Sequence, residues 1–129
     1  DMTRSLAHHS RPAPIAIWSQ GAHDGWGGPW NPRRASPTPD ALRSQAWHGL
    51  SHCVTSLYRF NLSLKSLVAF PDLIEPITRV NLEATMLAEL LLSASLSSHE
   101  RIGEPGDPSW DLTVLASPQA AVLAAHDLV

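Results

Sequence analysis

Leucine, isoleucine, valine and phenylalanine are placed very unevenly along the chain, with roughly 3 in residues 1–39 and roughly 28 in residues 40–129. A stretch in which they fall below about a fifth cannot build a core of its own. The chain therefore divides into an irregular N-terminal segment, 1–39, packed on a helical domain, 40–129. The first segment carries Pro12, Pro14, Pro29, Pro32, Pro37 and Pro39 and the run "GAHDGWGGPWNP", which favour turns and extended backbone. At most a short strand is expected at Ile15 to Trp18. Trp18, Trp26 and Trp30 offer large apolar area and are expected to lie against the body.

The body opens with a helix-start signal: Thr38 as cap, Pro39 at the first helical position and Asp40 complementing the N-terminal dipole. Leu42, Ala46, Leu50, Cys53, Leu57, Phe60, Leu64 and Leu67 then follow at alternating steps of four and three. That rhythm predicts one long amphipathic helix ending before Pro71. Gly49 inside it marks either a close backbone contact or a bend. A second helix is predicted from Asp72, with Glu75 as capping-box partner and a seam of Leu73, Ile77, Val80, Ala84, Leu87, Leu91 and Ala94. The short loop between them implies an antiparallel hairpin. "SSHERIGEPGDPSW" reads as a turn-rich break, "WDLTVLA" (110–116) as helix in preference to strand, and Ser117 and Pro118 as the start of a C-terminal helix.

The predicted fold is thus all-α, a long antiparallel helical hairpin closed by a C-terminal helix and dressed by the Trp/Pro-rich N-terminal segment. Met86, Leu90, Leu92 and Leu96 widen the apolar arc of the second helix beyond what one partner helix covers. They are the expected interface with a second copy of the chain or with another helical protein. A length of 129 residues, 43% hydrophobic and 16% charged content and a net charge of −3 suit one compact domain. The same values exclude a highly charged disordered chain and a strongly basic nucleic-acid wrapper. Cys53 is the sole cysteine, so no intrachain disulfide can form, and it is expected in the core. No secretory leader or membrane span is expected, and a cytoplasmic location is the default.

Advancing about 100° per residue gathers His48, His52, Thr55 and Arg59 on the face opposite the seam. Two histidines one turn apart have the spacing of a helical metal site. The run His48-Gly49-Leu50-Ser51-His52 lacks the glutamate that follows the first histidine in zinc proteases. A solvated face is the preferred reading, so no metal and no cofactor are expected. On the second helix Arg79 and Glu83 lie one turn apart at the edge of the apolar arc, where a carboxylate needs a partner: Arg79, or Arg59 from the first helix. Functionally, this pair would form a polar notch in a helical groove.

Residues 76–102, "PITRVNLEATMLAELLLSASLSSHERI", place Arg79, Leu82, Glu83 and Ala84 in an Arg-x-x-Leu-Glu-Ala pattern followed by Glu100-Arg101. This segment resembles a helix of the HEPN-like helical proteins of bacterial genomes. The resemblance implies an all-helical bundle, often dimeric, in families linked to phage defence and toxin systems, some members of which cut RNA. Those nucleases share an Arg-x4-6-His motif, whose spacing Arg43 and His48, and Arg4 and His9, match. Three functions follow as expectations. The first is an oligomerisation or protein-interaction module. The second is a metal-independent ribonuclease in which His48 or His52 is the general acid-base and Arg59 stabilises phosphate charge, with RNA as partner. The third is a metal-binding helical protein using His48 and His52.

Overall fold

The computed structural model describes residues 14–21, 36–60, 64–104 and 109–127. The expected packing of Trp26 and Trp30, and the Arg4 and His9 pair, lie outside these residues. Among them the chain is mixed α/β, with five strands in two sheets and four helices, so the all-α helical bundle is incorrect. Strand β1 (Ala16–Gln20) and strand β2 (Ser56–Phe60) pair in parallel, with Trp18 opposite Tyr58. Helix α1 (Pro39–Ser51) lies between them in sequence. Then come α2 (Leu64–Ala69), a 3-10 turn (Pro71–Leu73), α3 (Ile74–Met86) and α4 (Ala88–Ser93). The chain continues with the antiparallel strands β3 (Ser95–Ile102), β4 (Trp110–Ala116) and β5 (Ala121–Asp127), in the spatial order β3-β4-β5.

Helix α1 begins as its sequence dictates. Thr38 Oγ1 accepts from the Ala41 amide (3.1 Å), Pro39 occupies the first position and Asp40 the first turn. It ends much earlier than the seam implies. The amides of His52 and Cys53 turn back onto the carbonyls of Gly49 and Leu50, and Cys53 adopts a left-handed conformation (φ 65°). That geometry is costly for a non-glycine residue, of order 1 kcal/mol, and it redirects the chain into β2. Gly49 is the close contact expected of it: a Cβ there would lie 2.5 Å from the δ-methyl of Ile17 and 3.4 Å from a methyl of Leu57. Its bare backbone lets α1 press onto the β1–β2 sheet.

The predicted second rod is likewise broken, since Leu87 separates α3 from α4 and Leu96 already belongs to β3. Leu42 of α1 and Leu73 are fully buried against each other, with Leu67, Phe70 and Ile77 around them. A second tie joins α1 to α3. Glu83 receives Arg43 Nη2 (2.8 Å to Oε2, 3.0 Å to Oε1), Trp47 Nε1 (3.1 Å) and Arg79 Nε (3.2 Å). The Arg43 bond leads the causes that hold this carboxyl below its ordinary range, outweighing a smaller desolvation that acts the other way. The notch therefore pairs Glu83 with Arg79, as expected, and with Arg43 in place of Arg59.

In the last third, 110–116 and 121–127 are strands where the sequence predicts helix. Ser117, expected as a helix cap, holds the β4–β5 turn instead. Its Oγ accepts from the amides of Gln119 (3.3 Å) and Ala120 (3.2 Å), and its own amide donates to the Ala120 carbonyl (2.8 Å). A serine offers the same side-chain acceptor to a turn as to a helix start. In β4 the buried residues alternate, Asp111, Thr113 and Leu115, and pairing on both sides fixes them toward α1. No helix among the described residues is long and apolar enough to cross a membrane.

Candidate metal centre

The register of the three-stranded sheet selects the polar side chains that meet α1. Asp111 stands opposite His126 across β4–β5, and His99 stands opposite Thr113, the next inward residue, across β3–β4. Strand alternation therefore puts His99, Asp111, Thr113 and His126 on one face. The last turn of α1 contributes His48 and Ser51, and its C-cap is His52. Four of the seven histidines of the chain converge here. The ring of His48 lies 4.5 Å from that of His52 and 5.0 Å from that of His126, and His52 lies 5.5 Å from His99.

His52 is the centre of the cluster and only 1% exposed. Its Nδ1 lies 2.7 Å from the His48 carbonyl, a bond that requires the proton on Nδ1. Nε2 is then left with its lone pair, fully buried, without a hydrogen-bond partner and 3.8 Å from Asp111 Oδ1. Ser51 Oγ donates to the same His48 carbonyl (3.1 Å) and lies 3.0 Å from His126 Nε2. Asp111 Oδ1 receives Thr113 Oγ1 (3.3 Å) and lies 2.9 Å from His99 Nε2. His48, His52 and Asp111 each offer a ligand atom, and these atoms lie within 4.8 Å of one another. A tetrahedral ion with bonds of about 2.0–2.2 Å sets its ligand atoms about 3.4 Å apart, so side-chain movements of roughly 1 Å would close the site.

Burial is the largest influence on His52 and lowers its pKa; the His48 carbonyl bond and Asp111 pull upward, while the charges of His48 and His99 push down. His126 is also lowered, by burial first and then by His48. For Asp111 burial acts upward, but the His99 bond and the charges of His99, His52 and His48 prevail, and its pKa is lowered. All three shifts have one consequence for stability. A histidine that the fold keeps neutral contributes fully above its ordinary value of 6.5 and resists protonation below it. A depressed carboxyl contributes fully above its ordinary 3.8 and loses that contribution on further acidification. In chelator, the thermal midpoint is thus expected to hold between about pH 8 and pH 6.5 and to fall steadily toward pH 5. His52→Gln and His126→Gln should flatten that fall; a midpoint that rises on acidification would contradict the assignment.

Of the residues singled out in the sequence, His48 and His52 enter the cluster, but Thr55 and Arg59 do not follow them on one helical face because α1 has ended. Thr55 Oγ1 donates to the Ile15 carbonyl (2.9 Å), and Arg59 Nη1 donates to Ser19 Oγ (2.9 Å) within the β1–β2 sheet. Burial lowers the pKa of the Arg59 guanidinium. Arg43 and His48 also part, the arginine going to Glu83 and the histidine to the cluster. Met86 and Leu92 are exposed, 83% and 66%, while Leu90 and Leu96 are half-buried. Sequence reasoning missed Ser51, His99, Asp111 and His126. The usable signal was the alternation of "WDLTVLA", which puts a carboxylate in the buried phase of an apolar strand.

The cluster opens to solvent on one side. A cavity of about 400 Å³ lies between β1, α1 and β5, lined by Ile17, Trp18, Ser19, Ser44, Gln45, His48, His126 and Asp127. Of the cluster, His48 and His126 line it, whereas the buried His52 and Asp111 do not. The class defined by this arrangement is an α/β chain with a buried histidine and carboxylate cluster, two of whose histidines line a cavity. The chain matches no family model, no curated protein and no solved structure.

Proposed function

We propose that this chain is a metal-binding protein that holds one first-row transition-metal ion of the zinc class with His48, His52 and Asp111. The observation that carries the reading is the state of His52. A ring whose Nδ1–H is tied to a backbone carbonyl, with a bare Nε2 facing a carboxylate and a second imidazole, is the arrangement of a preoriented metal-ligating histidine. Its buried unpartnered nitrogen is costly in isolation and is satisfied by an ion. Two imidazoles and a carboxylate suit Zn, Ni, Cu or Fe better than Mg or Ca. With three protein ligands, a further coordination position is left for a small molecule.

The test is titration of chelator-treated full-length protein with Co(II), followed by its visible absorption. One cobalt per chain is expected, displaced by zinc, with binding weakened more than about 100-fold in His52→Ala, beyond the 10–100-fold that loss of a supporting contact costs. Equal binding by wild type and His52→Ala would refute the reading. A second reading, self-association through α3 and α4, is favoured by the exposure of Met86 and Leu92. It predicts a dimer in light scattering that Met86→Asp abolishes, and a monomer at every concentration would reject it.

A further inference from the structure

We infer that the cavity between β1, α1 and β5 binds a small carboxylic acid with an apolar body, whose carboxylate takes the open position on the ion held by His48, His52 and Asp111. This inference rests on the metal-centre reading and adds the class of ligand to it. Its direction comes from burial: His52 and Asp111 are enclosed, whereas His48 belongs both to the ligand trio and to the cavity wall. Of the three ligands only His48 also lines the cavity, and the open position of the ion is assigned to that side.

Charge and wall chemistry define the ligand. A divalent ion with two neutral imidazoles and one carboxylate carries a net single positive charge, and in a shielded site this favours one monoanionic donor. Two polar side chains of the wall, Gln45 and Ser19, are already engaged within the protein. Gln45 exchanges two bonds with Gln20, Nε2 to the Gln20 side-chain oxygen and Oε1 from its amide, each 3.1 Å. Ser19 Oγ takes Arg59 Nη1 and lies 3.3 Å from the Tyr58 carbonyl. The apolar part of the wall is contributed by Ile17 and Trp18, the latter stacked on Tyr58 at a centroid distance of 5.0 Å, and Ser44 also lines it. Asp127 also lines the cavity and opposes an anion, but it is solvent-exposed, where its field is screened. About 400 Å³ falls within the range of small-molecule sites, about 300–1,000 Å³.

The test uses full-length protein loaded with cobalt and three probes: sodium benzoate, sodium acetate and benzyl alcohol. Benzoate is expected to change the cobalt spectrum saturably. Acetate should give the same change at concentrations at least about tenfold higher, since it lacks the ring. Benzyl alcohol, which has a ring but no carboxylate, should leave the spectrum unchanged. Trp18→Ala should weaken benzoate about tenfold while leaving acetate affinity and cobalt stoichiometry unchanged. One bound cobalt whose spectrum is indifferent to benzoate overturns the inference and leaves the metal centre standing. Equal affinity for benzoate and acetate in the wild-type protein overturns the apolar body, whatever the variant does. Failure to bind cobalt at all removes both.

Discussion

Asp111→Ala is expected to lower stability by about 2–3 kcal/mol in chelator and to weaken cobalt binding by more than about 100-fold. The carboxylate is 5% exposed and accepts from Thr113, which is wholly buried, while His99 Nε2 stands 2.9 Å away. Removing it strands a buried hydroxyl and takes the carboxylate away from His99 Nε2, and an unmade buried bond costs about 1–3 kcal/mol. Burial favours the neutral form of His52, so no charge is left stranded on it, which keeps the loss below the 3–5 kcal/mol of a broken buried ion pair. Asp111→Asn separates the two roles of the residue. The amide oxygen still accepts from Thr113, so stability should fall by only about 1 kcal/mol. Cobalt affinity should fall as far as in Asp111→Ala, because a neutral amide is a poor ligand for this class of ion. Denaturant melts and cobalt titrations on both variants check the pair of results. Full cobalt affinity in Asp111→Asn would remove the carboxylate from the ligand set.

What could be read from the sequence was local. The Thr38-Pro39-Asp40 start is where α1 begins, Leu42, Ala46 and Leu50 are buried on it, and Gly49 marks a close approach. The short strand expected at Ile15 to Trp18 corresponds to β1. Leu73, Ile77 and Val80 face inward as the seam of the second rod required. What misled was a spacing that helix and strand share over short runs. Leu50, Cys53, Leu57 and Phe60 keep a helical rhythm, yet Ser56–Phe60 pairs with β1 across a whole intervening helix. Nothing local announces that partner. In the C-terminal third, alanine-rich "AVLAAHD" has good helix formers, but pairing with β4 outweighs intrinsic preferences worth only tenths of a kcal/mol per residue.

The site shows the same division more sharply. The His48 and His52 pair was visible because one helix carries both, and an i, i+4 relation needs no tertiary information. Asp111, His99 and His126 join them only through the register of three strands, and a one-residue slip in any of these would turn its side chain to the opposite face. The resemblance of residues 76–102 to a HEPN-like helix was local in the same way. Glu100 and Arg101, expected in a turn after that helix, lie within β3. A bundle cannot be inferred from one helix when the strands that follow decide the architecture.

Leu42→Ala is expected to cost about 3–4 kcal/mol, the middle of the range for buried leucine truncations. Leu42 is completely buried and touches Leu73, also completely buried, inside a small cluster closed by Leu67, Phe70 and Ile77. That cluster spans α1, α2, the 3-10 turn and α3, so a cavity there has no single flexible neighbour able to fill it. Against a total of roughly 5–15 kcal/mol the loss is a large fraction, and the thermal midpoint should drop by roughly 10–15 °C. Met86→Ala, at a side chain left in solvent, should change stability by less than about 0.5 kcal/mol in the monomer. Leu73→Ala should cost as much as Leu42→Ala, and the double variant less than the sum, because the second truncation enlarges a cavity already made. If the two losses simply add, the residues are not in contact and the packing of α1 on the 3-10 turn is wrong. If Met86→Ala is as damaging as Leu42→Ala, that surface is covered by a second copy, and the loss should shrink as the protein is diluted.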